Sequence, residues 1–111
     1  MQISTIFMKR ERITIKLDFN LDIDFKSKIN YLVYFNDEKI IFTKYKKYKG
    51  PITLQLLPCG GIQSLNRNKI IVALKNGYLE VSELIYKDEE MTSKDFINLV
   101  GRDEVLNAIL K

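Results

Sequence analysis

The sequence offers few side chains suited to acid–base or nucleophilic chemistry. Its 111 residues include no histidine and one cysteine, Cys59. Because histidine is the usual proton carrier near neutral pH and a common metal ligand, its absence removes the commonest catalytic and metal-binding arrangements. Lysine is then the main base left to activate the Cys59 thiol. Cys59 also stands beside two glycines, Gly60 and Gly61, so we expect it to be a small packing residue in a turn.

The remaining acid–base candidates are three consecutive carboxylates, Asp88, Glu89 and Glu90. A run of adjacent acids is more typical of a solvated turn than of a paired catalytic site. The Gly60-Gly61 pair lacks the further glycines, the Lys-Ser/Thr dipeptide and the helix that phosphate-binding loops use. We therefore expect no catalytic residue, no cofactor and no metal, and an independent enzyme is the less favoured alternative.

A basic and aromatic segment, KYKKYKGP, is the strongest candidate for a binding surface. Lysine ammonium groups neutralise phosphates, and tyrosine rings stack on the bases of single-stranded or looped nucleic acid. The formal net charge of +4 is compatible with such a partner. The alternative is an exposed edge whose lysines resist aggregation and whose tyrosines pack inward. The candidate side chains are Lys44, Tyr45, Lys46, Lys47, Tyr48 and Lys49.

Alternating apolar residues predict strands through the first two thirds of the chain. Within residues 12–19 every second residue is apolar, which predicts one buried face. That face comprises Ile13, Ile15, Leu17 and Phe19. The clearest hairpin joins residues 31–35 to residues 39–45 through Asn36-Asp37-Glu38. Further strand segments are predicted within residues 1–9, 20–30, 52–57 and 62–65.

Residues 69–84 predict a second hairpin. The dipeptide Asn76-Gly77 suits a type I′ turn, because both residues tolerate positive φ. The apolar alternation after the turn shifts near Leu84, which indicates a bulge. Residues 87–90 are then expected to form a charged loop.

A capped amphipathic helix is predicted to follow Met91. Thr92 is the predicted N-cap, and Asp95 stands at the capping-box position three residues later. Gly101 is a natural residue at the end of this helix, and Asp103 is a candidate cap for a further short helix that runs to Lys111. The predicted buried face of the first helix comprises Phe96, Leu99 and Val100.

Six or seven short strands, with helix only near the C-terminus, predict a mainly β fold in a single domain. The expected architecture is a small β-barrel or sandwich capped by a helix. No apolar run approaches the roughly 18–20 residues of a membrane helix, and the first residues lack the features of a signal peptide. One cysteine rules out an internal disulfide. We therefore expect a cytoplasmic protein with no membrane partner.

In order and spacing, roughly residues 31–101 resemble the C-terminal domain of methionyl-tRNA formyltransferases. The family pattern is V-A-x-x-x-G-x-L-x-V-x-x-L, followed by a short loop, a Met and a helix that starts with Ser or Thr and contains Asp-Phe-Leu. The matching residues here are Lys39–Tyr45, Pro58–Ile62, Val72-Ala73, Gly77, Leu79, Val81, Leu84, Met91, Ser93, Asp95-Phe96-Ile97 and Gly101. We assign residues 31–111 to this domain and leave residues 1–30 as unassigned N-terminal strands.

The resemblance implies an OB-like β-barrel of six or seven strands with a C-terminal helix. In complete enzymes this domain helps to hold tRNA beside the catalytic domain through its basic surface. The family's catalytic Asn-His-Asp set belongs to that other domain, and a chain without histidine cannot carry it. Where the family often has Gly-Lys-Lys before the Met, this chain has Lys87-Asp88-Glu89-Glu90. The reversed charge argues against RNA contact through this loop.

We therefore predict a non-catalytic formyltransferase C-terminal-like domain that supports tRNA or substrate binding, alone or beside a formyltransferase catalytic domain. The alternatives are a protein-interaction or structural module, and an accessory domain of a sugar-nucleotide formyltransferase. In the RNA-binding hypothesis the cations contact phosphates and the tyrosines stack on bases. The predicted RNA-binding residues are Lys44, Tyr45, Lys46, Lys47, Tyr48, Lys49, Arg67 and Lys69.

Overall fold

The computed structural model describes residues 12–21, 23, 25, 28–50 and 57–111. Within these residues it contains seven strands and two helices. The strands are β1 (Thr14–Lys16), β2 (Asn30–Phe35), β3 (Glu38–Lys47), β4 (Ile62–Asn66), β5 (Lys69–Leu74), β6 (Gly77–Tyr86) and β7 (Glu89–Thr92). The helices are α1 (Ser93–Val100) and α2 (Arg102–Leu106). The strand predicted over residues 1–9 lies outside the described residues, as do residues 52–56 of the strand predicted over residues 52–57.

The seven strands form one sheet in the order β1-β2-β3-β6-β5-β4, and β7 also pairs with β6. The pairing of β1 with β2 is parallel, whereas the other pairs are antiparallel. β6 lies at the centre, with β3 along one side and with β5 and then β7 along the other. The predicted mainly β fold with a C-terminal helix is confirmed. Over the described residues the sheet does not close, so the predicted barrel is not confirmed.

Three two-residue turns have positive φ at both central residues, as type I′ hairpin turns require. They are Asn36-Asp37, Arg67-Asn68 and Lys87-Asp88. The predicted type I′ turn at Asn76-Gly77 is wrong. Leu74 pairs with Gly77 across the hairpin, so the turn residues are Lys75 and Asn76, and Asn76 does not have positive φ. Gly77, the first residue of β6, takes the positive φ instead (137°), a conformation that glycine adopts without steric cost.

The charged loop predicted over residues 87–90 is wrong in its second half. Only Lys87 and Asp88 form the turn, and Glu89 and Glu90 begin β7, which pairs with β6. Their charges suggested a loop. Glu89 is exposed on this strand, where a charged side chain is tolerated, whereas Glu90 is half-buried.

Helix α1 closes the core over the sheet. The side-chain oxygen of Thr92 accepts a hydrogen bond from the Asp95 N–H at 3.2 Å, which confirms the predicted N-cap. Phe96 is almost fully buried, and its ring meets Phe35 and Tyr86 edge-on at centroid distances of 5.4 and 5.0 Å. The rings thus anchor the helix to β2 and β6.

The predicted buried face of α1 is correct for Phe96 and wrong for Leu99, which is 63% exposed. The buried residues are Ser93, Phe96 and Ile97. The buried face therefore includes Ser93 and Ile97, which lie outside the predicted face. Ser93 occupies a core position because its hydroxyl donates to the Val81 carbonyl at 2.6 Å. A buried serine with a hydrogen-bond partner is tolerated there, and sequence periodicity counts such a residue as polar.

The chain after α1 departs from the predicted second helix. Gly101 caps α1, as predicted, through a hydrogen bond from its N–H to the Ile97 carbonyl. Asp103, the predicted cap of the second helix, instead lies inside α2. α2 ends at Leu106. The Lys111 and Tyr34 backbones then exchange two hydrogen bonds, and the Leu110 N–H donates to the Gly60 carbonyl. Because of these bonds, the residues after α2 do not continue as a helix. They pair instead with β2 and with the segment before β4.

The predicted buried face over residues 12–19 is correct in its second half only. Leu17 and Phe19 belong to the core, whereas Ile13 and Ile15 are 71% and 44% exposed. β1 is short and lies at the edge of the sheet, so its side chains have few neighbours. At Asp18 the chain turns, with the Asn20 N–H donating to the Asp18 carboxylate at 2.9 Å, and strand structure does not continue through residues 19–21.

Candidate nucleic-acid interface

Five of the six predicted cations, all except Lys44, line one open groove at the end of β3. The groove has a volume of about 850 Å³ and is called the basic groove below. Two chain segments supply its walls, the end of β3 with the residues after it and the β4–β5 turn. Its lining residues are Lys46, Lys47, Tyr48, Lys49, Gly50, Asn66, Arg67, Lys69 and Glu80.

Sheet pairing brings the two walls together. Lys46 pairs with Glu80 on β6, and Glu80 pairs with Ile71 on β5, so the three strands place these positions in one row. A side-chain contact also joins the two walls, since the Asn66 amide donates to the Tyr48 hydroxyl at 3.4 Å. This contact holds the Arg67-Asn68 turn beside the segment that follows β3.

Two of the predicted cations form ion pairs with carboxylates on β6. Lys46 Nζ lies 3.5 Å from Glu80 Oε2, and Lys44 Nζ lies 3.7 Å from Glu83 Oε2. The lysine side chains are largely exposed, so each ion pair contributes no more than about 1 kcal/mol to stability. Another anion can therefore replace the carboxylate as the partner of either lysine. Lys44 lines another part of the surface, since it is not among the residues of the basic groove.

The other cations of the basic groove have no acidic partner in the described part of the chain. Lys47, Lys49, Arg67 and Lys69 form no ion pair with a described Asp or Glu. Among the described residues that line the groove, Glu80 is the one carboxylate. Its side chain is only 15% exposed. The groove is thus lined by five cations and one partly covered described acid, and that acid pairs with Lys46.

The two predicted stacking tyrosines are packed inward. Tyr48 is 8% exposed. Tyr45 is half-buried, its hydroxyl donates to the Ile29 carbonyl at 2.7 Å, and its ring lies edge-on to Tyr31 at a centroid distance of 5.4 Å. A stacking platform must offer a free ring face, so this placement argues against the predicted role of both tyrosines and fits the alternative in which they support the fold.

A smaller cavity adjoins the basic groove and was not predicted from the sequence. Its volume is about 240 Å³, and it is called the side pocket below. Lys47 lines both cavities, and its stem passes Gly77, where an ideal Cβ would lie 3.9 Å from Lys47 Cε. The side pocket is lined by Leu21, Ile23, Phe25, Lys47, Leu74, Asn76 and Tyr78. These residues come from three separate segments, so no local sequence signal marks the pocket.

The described residues carry no other constellation that suggests chemistry. Among them, no group of three or more His, Cys, Asp or Glu side chains could hold a metal ion. No helix in the described ranges is long and apolar enough to cross a membrane. Cys59 is half-buried and packs against the core, which fits a packing role. Asp88 lies in a turn, and Glu89 and Glu90 lie on β7.

No protein-family model matches this sequence, and a search of curated proteins also finds no match. The resemblance to formyltransferase C-terminal domains therefore stays a prediction, as does RNA binding by the basic groove.

Proposed function

We propose that this protein is a non-catalytic RNA-binding module that holds RNA phosphates in the basic groove. The observation that carries the proposal is the convergence of Lys47, Lys49, Arg67 and Lys69 on one open groove from two chain segments. Clustered cations on one face, in a chain of net charge +4, are the electrostatic footprint of a nucleic-acid partner.

The shape of the basic groove favours a polymer over a small anion. The groove is open to solvent rather than enclosed, and most of its cations are lysines, which act as point charges on flexible stems. A small anion would be held better by an enclosed site with converging donors. An extended chain of phosphates instead contacts several lysines at once, and each contact releases condensed counterions.

We take tRNA as the first RNA to test, because the resemblance to formyltransferase C-terminal domains implies it. In that hypothesis the sheet corresponds to an OB-like barrel, and the module supports a formyltransferase catalytic domain. The inward packing of Tyr45 and Tyr48 is compatible with tRNA, because a folded RNA can be held through its backbone.

The proposal is tested by fluorescence anisotropy with labelled tRNA at increasing salt. If Lys47, Lys49, Arg67 and Lys69, which form no ion pair with a described Asp or Glu, each contact a phosphate, log K should fall against log salt with a slope of about −3 to −4. Binding should be tight at about 50 mM salt and should weaken strongly by about 200 mM. Absence of binding at the low salt concentration, or binding that salt does not change, would contradict the proposal.

Replacing Glu80 with glutamine should increase tRNA affinity. The Glu80 carboxylate repels phosphates and pairs with Lys46, so its neutralisation frees one lysine and removes one negative charge from the groove. We expect an increase of about five- to tenfold at about 0.1 M salt, the effect of roughly one additional phosphate contact. Anisotropy titrations of wild type and Glu80→Gln measure it.

Glu83→Gln is the matched control, because it makes the same change of charge and frees Lys44, which lies outside the basic groove. An equal gain in both variants would show that net charge, and not the groove, determines affinity.

A further inference from the structure

The side pocket opens beside the path that phosphates would follow along the basic groove. Lys47 lines both cavities. The Tyr48 N–H donates to the Tyr78 carbonyl at 2.9 Å, which fixes Tyr78 directly beside the end of β3. An RNA strand whose phosphates contact Lys47 therefore passes the mouth of the side pocket.

The lining of the side pocket has the chemistry of a site for a flat aromatic ligand. Phe25 and Tyr78 supply rings, Leu74 supplies aliphatic surface, and Asn76 and Lys47 supply polar groups. The volume of about 240 Å³ lies below the roughly 300–1,000 Å³ of sites that enclose drug-sized ligands. Size and lining together fit a single heteroaromatic ring system with polar atoms on its edge.

We propose that the side pocket takes one unpaired nucleobase of the RNA strand whose phosphates occupy the basic groove. This inference rests on the proposed function and adds a base-binding site to it. The base stacks on Tyr78, whose ring is part of the lining of the side pocket. Only an unpaired base can enter, because the bases of an A-form duplex remain stacked and paired.

Tyr45 supports this site without touching the base. Its ring meets Phe25 edge-on at a centroid distance of 6.3 Å, and its hydroxyl is fixed by the Ile29 carbonyl. Tyr45 therefore holds Phe25 in the lining of the side pocket. The basic and aromatic segment thus contributes three cations to the groove and one supporting ring to the pocket.

The test compares two RNAs that differ only in one unpaired nucleotide: a fully paired duplex, and the same duplex with a single-nucleotide bulge. Wild type should bind the bulged RNA more tightly. Tyr78→Ala should weaken binding of the bulged RNA about tenfold, the effect of losing one base–aromatic stack, and should leave duplex binding within about twofold. Tyr78→Phe should restore wild-type affinity, because the ring is kept.

Tyr34→Ala is the matched control. Tyr34 is 39% exposed and pairs with Lys39, at the opposite end of β3 from the side pocket. This variant should bind both RNAs as wild type does.

A second measurement on wild type does not depend on any variant folding. 2-Aminopurine at the bulged position should lose fluorescence when saturating protein stacks the base on Tyr78. Unchanged fluorescence at saturation, or a Tyr78→Ala effect that is absent or equal on both RNAs, would overturn the base site while leaving phosphate binding intact. If wild type binds neither RNA at low salt, the proposed function fails and this inference fails with it.

Discussion

The double substitution Lys49→Glu and Lys69→Glu is expected to weaken tRNA binding about 100-fold or more at about 0.1 M salt. The two lysines come from opposite walls of the basic groove. Removing two phosphate contacts costs roughly 60-fold by counterion release alone, and the new carboxylates repel phosphates in addition. The slope of log K against log salt should become shallower by about 2. Anisotropy titrations over a range of salt concentrations give both quantities.

The control for this variant is the pair Lys94→Glu and Arg102→Glu. It changes net charge by the same amount, and both side chains are exposed near the first turns of α1 and α2. Glutamate is favourable near a helix N-terminus, so this variant should fold. An equal loss of affinity in the two variants would mean that RNA binds through overall charge and would refute the basic groove as the site.

Phe96→Ala should lower the free energy of unfolding by about 3–5 kcal/mol. Phe96 is 1% exposed, and it joins α1 to the sheet through its contacts with Phe35 and Tyr86. Since domains of this size are stable by only about 5–15 kcal/mol, the loss is a large part of the total. Urea denaturation followed by circular dichroism should show a lower midpoint.

Leu99→Ala on the same helix is the comparison, because Leu99 is 63% exposed and leucine and alanine have similar helix propensities. Its free energy of unfolding should stay within about 0.5 kcal/mol of wild type. Similar losses for both variants would contradict the position of α1 over the sheet.

Local patterns in the sequence predicted much of the sheet. Residues 31–35 and 39–45 fall within β2 and β3, because alternation and a turn dipeptide are both local signals. The Thr92 cap is local in the same way. The errors occur where distant contacts decide the outcome. Ser93 is buried through a hydrogen bond to Val81, and the residues after α2 are diverted from helix by bonds to Tyr34 and Gly60.

Only the part of the candidate site that is contiguous in the sequence could be predicted. The four lysines from Lys44 to Lys49 are visible as a cluster in the sequence. Which of them pair with a carboxylate is not visible, because the partners Glu80 and Glu83 lie on β6. The sequence offered inward packing of Tyr48 as one of two alternatives but could not identify its contact, because Asn66, a partner of its hydroxyl, lies on β4. The side pocket is assembled from three segments and has no sequence signal.

The central position of β6 also sets the order in which the groove can appear during folding. The β5–β6 hairpin closes through a two-residue turn, so it can form early and without distant contacts. The pairing of β3 with β6 closes a far longer loop, which costs more chain entropy and is slower. The two walls of the basic groove meet only in that later step. Partly folded chains therefore expose open strand edges before the basic groove is assembled.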